Sequence, residues 1–295
     1  MRIVSLLPSA TEMLFALGAG DDVVGVTFEC DHPVEARSRR IVSTSSLPEG
    51  LAPAEIDAAV SAALAAGEDL YRLDADALAD LDADLVVTQD LCAVCAVDVS
   101  VVDDALTYLG CSASVLTLDP QDLEGVLASV GTLGAAVGRE AEAANLVVGL
   151  RQRLERVQAA VAGLPPVPVM VLEWTDPPFT PGHWVPDMVT LAGGRSVLGV
   201  GGGRSGRTTW EAVALAAPSV IVAAPCGFGL PDSTALARAA VESGVLPDVP
   251  VWAVDANASF ARPGPRLVDG VEALAAILHP GCGVRLDAAL ACRIR

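Results

Sequence analysis

Aromatic side chains are scarce in this chain. Phe, Trp and Tyr supply 4% of its 295 residues, against an apolar total of 52%. The core must therefore be built from Ala, Val and Leu, and any gathering of aromatic residues is a departure that needs a reason. Long apolar runs are also missing. No stretch of about eighteen apolar residues lacks polar breaks, so no membrane-spanning helix is expected. The opening, "MRIVSLLPSATEMLFALGAG", is interrupted by Pro8, Ser9, Thr11 and Glu12. It does not read as a secretory signal but as a buried strand followed by a helix. The expectation is a cytoplasmic protein, or a periplasmic or extracellular-face one if the chain is a trimmed product. Basic residues are few: 18 Lys and Arg face 37 Asp and Glu, for a formal charge of -19. Such a surface repels nucleic acid and anionic lipid, so no nucleic-acid partner is expected.

Catalytic signatures are absent as well. There is no GxSxG and no HExxH, and the glycine-rich "GVGGGRSGR" (199–207) has neither P-loop nor dinucleotide-fingerprint spacing. It reads as a mobile loop whose Arg204 and Arg207 are able to meet an anion. The seven Cys, at 30, 92, 95, 111, 226, 282 and 292, are an odd number in a long chain and do not form a disulfide scaffold. Cys111 and Cys226 border apolar segments and are expected to be buried thiols. "DLCAVC" places Cys92 and Cys95 in a CxxC, a spacing used by redox pairs and by half of a zinc site. Only Cys30 and His32 offer a completion for zinc. A structural loop or a ligand contact is the simpler reading, and no intrinsic metal or cofactor is expected.

What is present is a rhythm. Short apolar strands alternate with helices: strand 2–7, a helix over 9–20 with Ser9 and Glu12 as a capping box, strand 22–27, a short strand within 33–44, helix 52–67, short helix 74–81, strand 83–89, helix 101–110 and strand 113–119. From Asp122 to about Ala162 the strand signal stops and the text reads as long helix, with a break near Gly138. The rhythm then resumes with strands at 167–174, 219–225 and 249–255, and with helices at 186–194, 208–217, 232–243 and 264–280. Alternation of this kind predicts an α/β protein with parallel sheets. The expected organisation is an N-terminal lobe over 1–118, a helical linker over 119–165 and a C-terminal lobe over 166–295. The two Rossmann-like lobes are expected to be joined by a rigid helix, with a ligand cleft between them and small change between empty and filled forms.

Parallel sheets bind ligands beyond the carboxyl ends of their strands, and the unusual residues sit there. "PSATE" follows the first strand with Pro8 and Ser9, "FECDHP" follows the second with Phe28 and Glu29, and "TQDLCAVC" carries Gln89, Asp90 and Cys92. In the second half "EWTDPPFTPGHWVPDM" (173–188) holds two Trp, a Phe, one of only three His and four Pro. Prolines hold Phe179 and Trp184 in place for a flat or apolar ligand; the bland alternative is that both rings cap the lobe core. His183 reads as a surface-loop residue or as a ligand to a metal centre. "PCGFG" and "DANASFARPGPR" add Phe228, Asn257, Phe260 and Arg262.

Several blocks carry a resemblance. "RIVSLLPSATEMLFALGAGDDVVGVTFECDHP", "PPFTPGHWVPDMVTLAGGRSVL", "TTWEAVALAAPSVIVAAP" and "FARPGPRLVDGVEALAAILHP" resemble, in order and over almost the whole chain, the helical-backbone periplasmic-binding proteins of iron-siderophore and vitamin B12 importers, cobalamin-binding branch. The resemblance implies a monomeric, non-catalytic protein that is not integral to a membrane. It implies cobalamin or a related corrinoid as the small-molecule ligand and an ABC importer permease as partner. Phe179 falls at an aromatic contact of the corrinoid binder, while Glu29 and Ser45 stand where that branch has aromatic residues. Gln89 and Asp90 occupy a loop that carries another Trp contact. Transporter docking is implied for one acid per lobe, Asp76 and Glu211, with Glu55 in an apparent insertion (about 46–70) as a substitute. The CxxC loop departs from the pattern and keeps a second reading open: a cytoplasmic corrinoid- or metal-handling protein or enzyme using Cys92 and Cys95.

Overall fold

The computed structural model describes residues 1–48, 50–89 and 113–295. The chain divides into two compact units, one made of Met1–Pro120 with Leu127–Val147, the other of Gln121–Val126 with Val148–Arg295. The expected helix over 101–110, and with it Asp90, Cys92, Cys95 and Cys111, lies outside the described residues.

In the first unit, β1 (Ile3–Ser5) leads into α1 (Pro8–Ala16), then β2 (Val23–Thr27), β3 (Arg40–Ser45), α2 (Pro53–Ala66), β4 (Tyr71–Leu73), α3 (Ala75–Ala79), β5 (Leu85–Thr88) and β6 (Ser114–Thr117). The sheet order is β4-β3-β2-β1-β5-β6. The β1–β2, β2–β3, β1–β5 and β5–β6 pairs are parallel, as expected, but β4 runs antiparallel to β3. The sheet is therefore mixed. Two apolar clusters form the core. One is built around Leu7, Met13, Leu14 and Leu133, the other around Val42, Leu70, Leu78 and Val86.

α1 begins two residues earlier than a Ser9 cap would set it. Pro8 takes the first helical turn, where its missing N–H costs nothing, so Leu7 is the N-cap and no side chain caps it. Ser9 is inside the helix, and its hydroxyl is buried without a hydrogen-bond partner; the capping box expected there does not form.

α4 (Leu123–Ala136) and α5 (Glu140–Val161) follow. The break between them falls at Gly138, whose φ of 65° ends the first helix in the left-handed conformation that glycine adopts without penalty.

The second unit continues with β7 (Val167–Leu172), β8 (Trp174–Thr175), β9 (Pro178–Thr180), α6 (Val185–Leu191), β10 (Gly194–Ser196), β11 (Gly206–Arg207), α7 (Trp210–Leu215), β12 (Val220–Ala223), α8 (Leu230–Glu242), β13 (Val251–Val254), α9 (Ala256–Ser259), α10 (Leu267–Leu278) and β14 (Ala291–Arg293). Its main sheet has the order β10-β7-β12-β13-β14, with β14 antiparallel on β13 and the remaining pairs parallel. β8, β9 and β11 form a separate antiparallel sheet. The core gathers Met170, Leu172, Val213, Ile221 and Val251. Among the described residues no helix is long and apolar enough to cross a membrane.

α5 is anchored to α10 in this unit. Arg153 Nε donates to Glu272 at 3.0 Å, and its other nitrogen reaches both Glu272 and Asp269. Asp269 and Glu272 stand three residues apart, on one helical face. The hydrogen bond to Glu272, more than the one to Asp269, holds the guanidinium above its ordinary pKa despite partial burial.

Candidate functional site

Strand order locates the crevice in each sheet. In the first unit the chain moves from β1 to β2 on one side and returns to β5 on the other, so the order reverses between β1 and β5. A ligand crevice belongs at the carboxyl ends there. Pro8 and Ser9 follow β1 and Gln89 follows β5; all three are buried, and Gln89 Oε1, like the Ser9 hydroxyl, has no hydrogen-bond partner. Further along the same edge, Phe28 is 40% exposed, and its ring lies 6.0 Å from that of Tyr71. The Tyr71 hydroxyl donates to Glu29 at 2.9 Å. Tyr71 comes from β4, a strand that sequence patterning does not register, and is a rim residue that sequence reasoning misses. Cys30 is buried, its sulfur 3.0 Å from the Thr11 hydroxyl. Among the described residues no group of three or more His, Cys, Asp and Glu is arranged to hold a metal ion.

In the second unit the order reverses between β7 and β12. Here the Trp174 and Phe228 rings meet at 5.5 Å, each just beyond the end of one of those strands. The Cys226 N–H donates to the Glu173 carbonyl, and the Asn257 N–H donates to the Phe228 carbonyl, joining the loops after β7, β12 and β13. Phe179, on β9, is half-buried, with the Arg207 guanidinium 6.0 Å above its ring. Trp174 is a second residue missed from sequence, since it sits inside the apolar run that reads as strand. Cys226 is exposed, not buried as expected: Pro225 ends the apolar run, and Gly227 turns the chain away with φ 87°. Arg262 is half-buried in the loop after β13.

The structure places Trp184 and Phe260 in the core. Trp184 is 5% exposed, Phe260 2%, and the Trp184 Nε1–H donates to the Phe260 carbonyl at 2.7 Å. The buried indole thus finds the partner it needs, and the bland reading describes these two rings.

Between them and Phe179 lies His183, half-buried and with φ 49°. Its N–H donates to the Gly203 carbonyl at 2.6 Å, and its own carbonyl accepts from Gly202 at 3.0 Å. The glycine-rich loop is therefore seated on this segment. The approach is so close that a Cβ on Gly182 would lie 2.2 Å from the Ser205 nitrogen. Burial pushes the His183 imidazole below the usual histidine pKa, and the Arg204 charge pushes the same way. Its Nδ1 is buried without a partner.

Asp76 and Glu211 are exposed, each in the first turn of a short helix. Glu211 is held below the usual carboxylate range by its own backbone N–H and then by the Thr209 hydroxyl. Ser45 lies at the end of β3 and accepts from the Leu47 N–H.

Two α/β units with their conspicuous residues at the strand-order reversals suit binding rather than turnover. A family model, described as a periplasmic binding protein, matches residues 3–253. The chain belongs to the periplasmic binding protein family. As a periplasmic binding protein it is not an enzyme. YvrC of Bacillus subtilis strain 168, an ABC transporter substrate-binding lipoprotein, is 26% identical over 293 residues, which is 95% of this chain and 80% of that protein. Solved structures share the fold. A periplasmic heme binding protein from Pseudomonas aeruginosa has a TM-score of 0.72 at 21% identity, covering 98% of this chain and 96% of its own. The periplasmic vitamin B12 binding protein BtuF of Vibrio cholerae has 0.64 at 20%, covering 94% and 96%. The heme binding protein HutB of the same species has 0.70 at 18%, covering 95% and 99%. Family membership overturns the cytoplasmic expectation. A periplasmic binding protein works outside the cytoplasm, and the broken apolar pattern of residues 1–20 is that of β1 and α1, which carries no information about address.

Proposed function

We propose that this periplasmic binding protein is the cargo-binding component of an ABC importer, and that its cargo is cobalamin or a related corrinoid. The observation that carries the reading is the Trp174–Phe228 pair at the strand-order reversal of the second unit, with Phe179 beside it. In a chain with so few aromatic residues, three rings at one set of strand ends present apolar faces where this fold class takes ligands. Phe28 and Tyr71 supply a second ring pair on the first unit. Both sets match a flat macrocycle better than a small polar solute. On the first unit Glu29 and the buried Gln89, and on the second Asn257 and Arg262, offer polar groups suited to the amide-bearing edge of a corrinoid; Pro8 and Ser9 belong to the first unit's crevice. Asp90 and Cys92 are included in the proposal from sequence position alone, since both lie outside the described residues.

Docking onto a permease is assigned to Asp76 and Glu211. Both are exposed acids at helix starts, and Glu211 is held below the usual carboxylate range. The protein is expected to act as a monomer.

The test is calorimetry against cobalamin, cobinamide, hemin and a ferric siderophore, with absorbance of the repurified protein. Micromolar or tighter corrinoid binding with a retained red chromophore is expected. Preferential retention of hemin would replace the corrinoid with another tetrapyrrole, and retention of neither would reject a macrocyclic cargo.

A further inference from the structure

We propose that Arg204 and His183 form an anion subsite on the second unit, that it takes the phosphodiester of a corrinoid nucleotide loop, and that its occupation is coupled to protonation of His183. The phosphodiester assignment rests on the corrinoid reading above; the anion subsite itself does not.

Three observations carry it. The first is placement. His183 and the glycine-rich loop are latched by the reciprocal bonds His183 N–H to Gly203 and Gly202 N–H to the His183 carbonyl, which seats the stretch of loop that carries Arg204 on the His183 segment. A second latch, the Ser205 hydroxyl donating to the Thr180 carbonyl at 2.8 Å, lies one residue on. The histidine backbone is held at φ 49°, a conformation that a non-glycine residue adopts at a cost and that recurs at functional sites.

The second observation is charge. The chain carries -19 overall, yet among the described residues Arg204 is exposed and makes no ion pair. The charged groups around His183 are accounted for. The Glu173 carboxylate accepts from the Gly182 N–H at 2.9 Å. Asp187, on α6, accepts from the Leu123 N–H. Arg262 has partners of its own, and Arg207 lies over Phe179. Arg204 is the charge that acts on the imidazole. An unpaired guanidinium beside a histidine, next to a ring platform, is complementary to a ligand with an apolar face and an anionic arm.

The third is the state of the ring. His183 Nδ1 is buried without a hydrogen-bond partner. Burial, and then the Arg204 charge, hold the ring below the usual histidine pKa when the subsite is empty. An anion bound at Arg204 cancels that repulsion and favours imidazolium, so binding takes up a proton and tightens as pH falls.

The subsite is tested first without cargo. With three histidines in the chain, the His183 ring resonances can be followed by NMR through a pH titration with and without inorganic phosphate. Phosphate should raise the His183 pKa in the native chain and leave it unmoved in Arg204→Gln; an unmoved native pKa overturns the subsite. Corrinoids then test the phosphodiester. Arg204→Gln should weaken cobalamin about tenfold and leave cobinamide, which lacks the nucleotide loop, within about twofold. Equal losses for the two overturn the phosphodiester assignment. His183→Gln should abolish the proton uptake seen when cobalamin titrations are compared in buffers of different ionisation enthalpy; uptake that persists overturns the coupling. If neither corrinoid binds the native chain, the cargo reading and the phosphodiester assignment fall together, while the phosphate titration still decides whether the anion subsite exists.

Discussion

At the scale of single residues, the rings at the strand ends differ in what they can do. Trp184 and Phe260 are committed to the core, so their truncation should act on stability. Phe→Ala and Trp→Ala in a packed interior cost about 3–5 kcal/mol, and a thermal melt of Phe260→Ala should show a loss of that order. Phe179 and Phe228 are half-buried, so Phe179→Ala should lower corrinoid affinity about tenfold with a much smaller change in melting temperature; calorimetry and melting read the two effects separately. His183 adds a pH signature. Its pKa is lower folded than unfolded, so the unfolded chain takes up the proton first as pH falls. The stability contribution is complete above the unfolded value, the ordinary one near 6.5, and is lost as pH falls toward the folded value. Denaturant midpoints of His183→Gln should lose that component of the pH dependence. None of these distinctions could be read from sequence. An aromatic residue among prolines looks the same whether it faces solvent or core, and the fate of Trp184 is decided by a carbonyl 76 residues away.

At the scale of elements, period and punctuation in the sequence predict most of what forms. The strand–helix alternation, the stop at Gly67 and the break at Gly138 all follow from apolar spacing and from glycines at positive φ. The misses have a common cause. β4, β10, β11 and β14 have two or three residues each, too few for any period to show, and the β8–β9–β11 sheet depends on pairing across 26 residues, as in the contact of Thr180 with Gly206. The seat of the glycine-rich loop is likewise a tertiary fact: Gly182 is needed because backbone fills the space its side chain would take. Gly182→Ala should disrupt the latch and cost about 1–3 kcal/mol, seen as a lower melting temperature together with loss of the pH-linked behaviour of His183. The α5–α10 anchor is a second element-scale device. Arg153→Ala leaves Glu272 and Asp269 facing each other without their shared cation. A loss of about 1–2 kcal/mol is expected after allowance for partial exposure, and a double-mutant cycle with Glu272→Gln should return most of it as coupling energy.

At the scale of the whole molecule, the proposed function assigns ring platforms to cargo and exposed acids to a partner. Charge reversal at Glu211 and Asp76 together should abolish stimulation of the importer's ATPase in proteoliposomes while cargo affinity stays within about twofold; unchanged stimulation rejects docking through these acids. The edge strands bear on association between copies of the chain. The first sheet ends at β4 with Arg72, and the second at β14 with Arg293, each three residues long and reversed in direction. Unpaired strand edges recruit neighbouring chains, and short charged edges discourage this. Removing residues 288–295 would bare the backbone of β13, including Trp252. The expected product is a species that still folds its remaining core but accumulates as thioflavin-positive aggregate.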